Sequence, residues 1–263
     1  MTSKSEDQKT LFLIEKLTGI DFSESEKFQI EKRIKEFEML LRASDLTLSQ
    51  YLDTYEIHKE LTEALINLAT NNETAFFRDK KPFELIGHLL ENKLSGCKNI
   101  RFLSLPASTG QEAYSLLFTL LNSKVDSKYF QIDAKDIDTN ALEKAKRGNY
   151  NRFEMMRGIS DKDKERYFST EGSGSVVKED LRKLINFSQY NLLEDKLIKD
   201  QYDVIFLRNV LFYFKEDLRK EILSQVAGSL KRGGVIILGN GEKVMTPNLK
   251  EEYYNGLIYY SRP

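Results

Sequence analysis

Ile100-Arg101-Phe102-Leu103-Ser104-Leu105, Pro106-Ala107-Ser108-Thr109-Gly110 and Gln111-Glu112-Ala113-Tyr114-Ser115 follow one another without a break. The first run is short and apolar, the pattern of a buried strand. The second consists of small residues and turns the chain. From Gln111 to Leu121, Ala113, Leu116, Leu117, Leu120 and Leu121 recur at helical spacing, and Tyr129 to Ala134 reads as a second strand ending in Lys135-Asp136-Ile137-Asp138. Strand, turn, helix and strand, with an acid at the second strand's tip, is the opening unit of a doubly wound α/β sheet. A carboxylate at that tip can accept both ribose hydroxyls of a nucleoside lying over the strand ends.

The turn carries one glycine, Gly110, and no G-x-G-x-x-G, so it lacks the close backbone cradle that a pyrophosphate needs. S-adenosylmethionine (SAM) has no phosphate and fits better. Its adenosine suits Asp136, and its charged amino-acid end suits the turn, where Glu112 sits. The competing use of Asp136 and Asp138 is to cap the helix Thr139 to Arg147.

At 263 residues the chain has core enough for one large or two modest domains. With 40% hydrophobic and 31% charged residues it reads as a globular protein with a well-solvated surface. No apolar run approaches a membrane span and the first residues are polar, so the cytoplasm is the expected compartment and no membrane insertion is expected. A net charge of -1 gives no global field toward nucleic acid, which is not an expected partner. Cys97 is the only cysteine, excluding an intrachain disulfide and a thiolate-rich metal site, and no metal is expected. His58 and His88 lie far apart in polar helical surroundings and read as surface residues, so His-centred hydrolase and zinc chemistry lose their main residue.

Residues 1–68 read as a helical N-terminal domain. One helix spans Leu11 to Leu17 and Gly19 stops it; Ser23 or Ser25 can cap a second, running to Leu41. On that second helix Ile30, Ile34, Phe37, Leu40 and Leu41 share a face, opposite Lys32, Lys35 and Arg42. Thr47 starts a third helix and Glu56 to Leu68 forms a fourth. Residues 69–263 then carry the α/β alternation, interrupted at about 151–188 by a small antiparallel insertion that includes Ser175 to Lys178, Leu184 to Phe187 and the turn Gly172-Ser173-Gly174-Ser175. The parallel sheet resumes at Asn186, continues with Tyr202 to Leu207 and Val235 to Leu238, and Asn255 to Tyr260 reads as a terminal edge strand.

Polar motifs recur at successive strand ends. The chain resembles the CheR-type chemotaxis receptor methyltransferases, which esterify glutamate side chains with SAM. The stretches that match, in the family's order, are Asn72-Glu73-Thr74-Ala75-Phe76-Phe77-Arg78, Ala107 to Ser115, Asp136-Ile137-Asp138, Arg166-Tyr167-Phe168, Asn191-Leu192-Leu193, Arg208-Asn209-Val210-Leu211-Phe212-Tyr213-Phe214, and Gly233-Gly234 with Gly239-Asn240-Gly241-Glu242. The resemblance covers nearly the whole chain. It implies a Rossmann-like SAM-dependent methyltransferase sheet with a small helical N-terminal domain and an inserted β-subdomain that engages the receptor.

It also implies roles. Asn72, Thr74 and Arg78 would meet the cofactor or the transfer centre. Glu112 would hold its methionine or ribose part and Asp136 the ribose hydroxyls. Asn191 and Leu192 would meet the adenine edge, Asn209 and Val210 would line the rest of the pocket, and Tyr213 would lie near the sulfonium. Arg78 and Tyr213 are thus the catalytic candidates. The chain departs from the family pattern at Gln111 and Ala113, where an acid and a proline are usual, at Pro106 and Leu207, and at Asn240-Gly241 in place of His-Ser. The short Gly172–Ser175 turn favours an enzyme that acts on the cytoplasmic domain of a chemoreceptor without a peptide tether. The product would be S-adenosylhomocysteine. The alternatives are a catalytically silent sensor or scaffold that binds SAM or S-adenosylhomocysteine, and a methyltransferase for a small molecule.

Overall fold

In the computed structural model the residues described are 4–22, 24–172, 174–243 and 248–263, without the side chains of 4, 5 and 24–31. The capping roles of Ser23 and Ser25, the side chain of Ile30 and the turn residue Ser173 lie outside them.

The strands, in chain order, are β1 (Ile100–Leu105), β2 (Phe130–Asp136), β3 (Asn149–Tyr150), β4 (Phe168–Glu171), β5 (Gly174–Val177), β6 (Ile185–Gln189), β7 (Tyr202–Leu207), β8 (Leu230–Leu238), β9 (Lys250–Tyr254) and β10 (Leu257–Ser261). Seven of them form one sheet in the order β6-β2-β1-β7-β8-β10-β9, and the other three form a small sheet, β3-β5-β4. Pairing is parallel from β6 to β8; β10 runs antiparallel to β8 and β9 antiparallel to β10. Successive side chains leave a strand on opposite faces, so Phe102 and Phe206 enter one apolar layer while Leu103, Leu105 and Leu207 enter the other.

The helices are α1 (Lys4–Thr18), α2 (Glu24–Ala43), α3 (Leu48–Thr54), α4 (Lys59–Ala69), α5 (Lys80–Asn92), α6 (Gln111–Asn122), α7 (Thr139–Arg147), α8 (Arg152–Met155), α9 (Asp161–Tyr167), α10 (Glu179–Arg182) and α11 (Glu216–Ser229). The first four enclose their own apolar cluster, built on Ile14, Ile34, Phe37, Tyr51 and Leu65. Leu40, expected on the buried face of α2, is 43% exposed at its border. Thr47 and Gln50 form a reciprocal capping box that starts α3.

Two expectations are corrected. Leu184 to Phe187 does not belong to the small antiparallel sheet. From Ile185 the chain pairs in parallel with β2 and forms the sheet's edge, because Ile185 completes the apolar layer under α7. Likewise the last strand is not the edge: β10 is flanked by β8 and β9, and Asn255-Gly256 is the hairpin turn. The true edge, Lys250-Glu251-Glu252-Tyr253-Tyr254, is charged enough to hide its strand character, which is how exposed edges resist pairing with other chains.

Candidate active site

Counted within the large sheet alone, its order is 3-2-1-4-5-7-6, so the chain reverses direction across the sheet between β1 and β7. In such sheets the crevice beyond the carboxyl ends at this reversal is the binding position. A cleft opens there. Among the described residues, seven of the ten candidates line it: Asn72, Asp136, Asn191, Leu192, Asn209, Val210 and Tyr213. Thr74, Arg78 and Glu112 are not part of its lining.

Asp136 ends β2 and is buried. Its Oδ2 accepts the Ser108 N–H at 2.6 Å, and its Oδ1 accepts the Asp138 N–H at 2.9 Å. Burial still dominates and pushes the carboxyl up to about 6 from 3.8, against those two bonds, with the nearby Asp138 adding to the rise. Helix capping falls to Asp138 alone, whose Oδ1 accepts the Ala141 N–H at 2.9 Å. The other oxygen of Asp138 takes Thr70 Oγ1 and Asn72 Nδ2, each at 2.6 Å, so Asn72 is tied to the cap of α7 at the rim of the cleft. The two aspartates that were interchangeable in the sequence have separate duties.

Arg208, just past β7, is buried and holds three groups. It donates to Glu112 Oε2 and Asp79 Oδ2, both at 2.8 Å, and to the Arg78 carbonyl at 3.0 Å. Glu112 also accepts the Ser104 hydroxyl at 2.7 Å, so both its oxygens are engaged beneath the cleft. Removing one partner of such a buried pair costs about 3–5 kcal/mol, since the other charge is left unpaired. The 77–79 turn so anchored contains Phe77 (φ 47°) and Asp79 (φ 58°) in the left-handed region. Arg78 itself donates to the Glu73 carbonyl at 3.0 Å.

Asn209 (φ 58°) and Val210 form the opposite wall. Their N–H groups, with those of Leu211 and Gly239, all donate to the Glu242 carboxylate at 2.7–2.9 Å. The loop whose His-Ser is replaced by Asn240-Gly241 therefore keeps the residue that clamps two strand ends together.

The roof comes from a segment that periodicity and motif reading passed over. Thr18, Ile20, Phe22 and Arg33 line the cleft from the α1–α2 region. Three contacts hold this region down: Asn191 Nδ2 donates to the Leu17 carbonyl at 2.9 Å, the Asp21 N–H to the Tyr213 carbonyl at 2.7 Å, and Lys215 pairs with Glu15. Arg33 reaches the carbonyls of Ala69 and Thr70, at 3.0 and 2.9 Å, closing the end of α4. The one sequence signal for this roof is Ile20 and Phe22, two apolar residues after a helix-stopping glycine.

The cleft joins the buried Asp136 carboxylate to the apolar residues Ile137, Leu192 and Val210, and among the described residues no glycine-rich phosphate cradle lines it. A nucleoside without phosphates fits these groups, and on this sheet order they define a SAM-dependent methyltransferase. The family model of the CheR methyltransferase SAM binding domain matches residues 72–258, and the chain belongs to that family. It is 31% identical over 256 residues to a chemotaxis protein methyltransferase of Vibrio anguillarum, covering 94% of this chain and 93% of that protein. Chemotaxis protein methyltransferase 1 of Vibrio cholerae serotype O1 is also 31% identical, over 94% and 93% of the two chains. Chemotaxis protein methyltransferase 1 of Pseudomonas aeruginosa is 30% identical over 95% of each.

Proposed function

We propose that this methyltransferase esterifies glutamate side chains in the cytoplasmic domain of a chemoreceptor, releasing S-adenosylhomocysteine. The observation that carries the reading is the buried Asp136 carboxylate at the β2 end of a cleft in a CheR-family chain. The relatives' names supply the chemotaxis setting. The chain would work as a helical unit at 1–68 that roofs a methyltransferase unit at 69–263.

When bound, SAM supplies an electrophilic sulfonium methyl. A glutamate carboxylate is ionised at neutral pH and is already a nucleophile, so the protein needs no general base. This chain's groups position and dehydrate instead. Asp136 accepts the ribose hydroxyls, Asn191 and Leu192 border the base, and Asn209 and Val210 close the wall. Asn72, at the rim of the cleft, and Thr74, outside its lining, would meet the transfer end of the bound cofactor. Glu112 acts through Arg208, holding the turn that carries Arg78. Arg78 orients the incoming carboxylate on leaving the Glu73 carbonyl, and Tyr213, which accepts a hydrogen bond from Asn71 at 3.2 Å, shapes the methyl channel. Glu171 pairs directly with Gly174, so only two residues join β4 to β5, and this short connection supports action without a receptor tether.

Calorimetry tests the reading. The wild type is expected to bind SAM and S-adenosylhomocysteine at micromolar levels, and Asp136→Ala to weaken both by about tenfold or more. No binding by the wild type would remove the proposal.

The same titration carries a pH signature. The folded pKa of Asp136 is raised to about 6, so this group's contribution to stability is present at low pH and is lost as pH rises through about 6. Ribose binding favours the ionised form and has the opposite sense. Affinity is therefore expected to hold above pH 6 and to fall by about tenfold per unit below it. Asp136→Asn should abolish that dependence; an unchanged profile in Asp136→Asn would assign it to another group.

A further inference from the structure

The four-residue helix α8 is held more firmly than its length requires. Asn151 Oδ1 accepts the N–H groups of Phe153 and Glu154 at 2.9 and 3.1 Å, while Glu154 Oε2 accepts the Asn151 N–H at 2.9 Å. Glu154 is further tied to Lys144 at 2.5 Å, and Met155 is buried in the main core. This fixed turn presents Phe153 and Met156 outward, 79% and 69% exposed. Arg152 and Arg157 flank them, both exposed. A large aromatic, a methionine and arginines on a rigid frame are the composition of an interface centre, and ordering them on binding costs little.

The ridge is joined to the active site. Gly158 follows it and packs against the backbone of Phe76, and Arg157 faces Glu73 at 3.7 Å across solvent. Both contacts fall on the 72–78 turn that borders the cleft. The Arg157–Glu73 pair is exposed on both sides and adds little stability, so Arg157 can exchange it for a carboxylate from outside.

Given the proposed function, we infer that Phe153, Met156, Arg152 and Arg157 form the docking ridge for the acidic receptor segment that carries the accepting glutamate. Phe153 and Met156 cover apolar side chains of that segment and the two arginines meet its carboxylates. The complementarity is one of charge: the substrate is defined by its glutamates, and the ridge offers exposed guanidinium groups beside the cleft.

The test is steady-state methylation of a chemoreceptor cytoplasmic fragment by the full chain. Phe153→Ser with Met156→Ser, and separately Arg152→Glu with Arg157→Glu, are expected to raise the KM for the fragment about tenfold or more. kcat and calorimetric SAM affinity should stay within about twofold of wild type, which also shows that the variants fold. Unchanged KM in both variants, with an active wild type, overturns the ridge alone. Wild type that binds SAM but methylates no fragment overturns the proposed substrate and the ridge with it. Loss of self-association in sedimentation with unchanged KM would assign the ridge to a second copy of this chain, and overturns the inference.

Discussion

Glu242→Ala is expected to lower the unfolding free energy by about 3 kcal/mol or more and to weaken SAM binding by about tenfold. The four N–H groups of Gly239, Asn209, Val210 and Leu211 converge on this one carboxylate at 2.7–2.9 Å. Bonds to an ionised acceptor are about twice as strong as neutral ones. A stranded buried donor costs about 1–3 kcal/mol, and water can rescue only those that the truncation opens to solvent. The clamp also depends on Gly239, where a Cβ would sit 2.6 Å from Glu242 Oε2 and 2.7 Å from the Asn209 nitrogen. Asn209 keeps its left-handed φ of 58° inside this arrangement, and with the clamp gone the wall it shares with Val210 should relax. Glu242→Gln retains one acceptor oxygen and should lie between. Urea denaturation of both variants, followed by SAM titration, measures the two effects. Variants within about 1 kcal/mol of wild type would show that the carboxylate is dispensable.

The second large effect is expected at Gly158. A Cβ there would lie 1.7 Å from the Phe76 carbonyl oxygen and 2.8 Å from its carbon, on a backbone with φ 85°. Both obstacles are main chain, so no rotamer change relieves them. Left-handed strain alone costs about 1–2 kcal/mol for a side-chain-bearing residue. Gly158→Ala should therefore destabilise by about 3 kcal/mol or more, or displace the 76–79 turn from its anchors on Arg208. In the second case methyl transfer falls more than SAM affinity, because Arg78 and Asp79 move while Asp136 does not. Gly87→Ala is the control. That helical site has open space around it and should gain about 0.5–1 kcal/mol in stability. An unfolding midpoint for Gly158→Ala equal to wild type would refute the packing argument.

The parts of the fold that were legible are those set by neighbours in the chain. The buried run Ile100–Leu105, the periodicity after Gly110 and the Thr47–Gln50 box each carry their signal within a few residues, and each element starts where that signal begins. Where a segment's fate depends on a partner strand rather than on its own pattern, the reading slipped. β9 is a strand because the adjoining β10 pairs with it in a hairpin, against the charge of Glu251 and Glu252. Ile185 leaves the small sheet because β2 offers it a parallel edge.

The candidate site divides in the same way. Asp136 and Asn209 were nameable because the carboxyl ends of parallel strands converge, whereas Asn72, Asn191, Leu192, Val210 and Tyr213 were named through the family resemblance, and all seven line the cleft. By itself, then, the sequence determined a doubly wound sheet and an acidic residue at the tip of its second strand. Tertiary structure alone decided which aspartate caps and which faces the cleft, that Arg208 ties Glu112 to the Arg78 turn, that Glu242 gathers four amides, and that Ile20 and Phe22 form the roof. The physical reason is range. Strand and helix patterns arise from side-chain periodicity over a few residues, whereas a buried charge or a roofing side chain is assigned by whatever the folded chain brings against it.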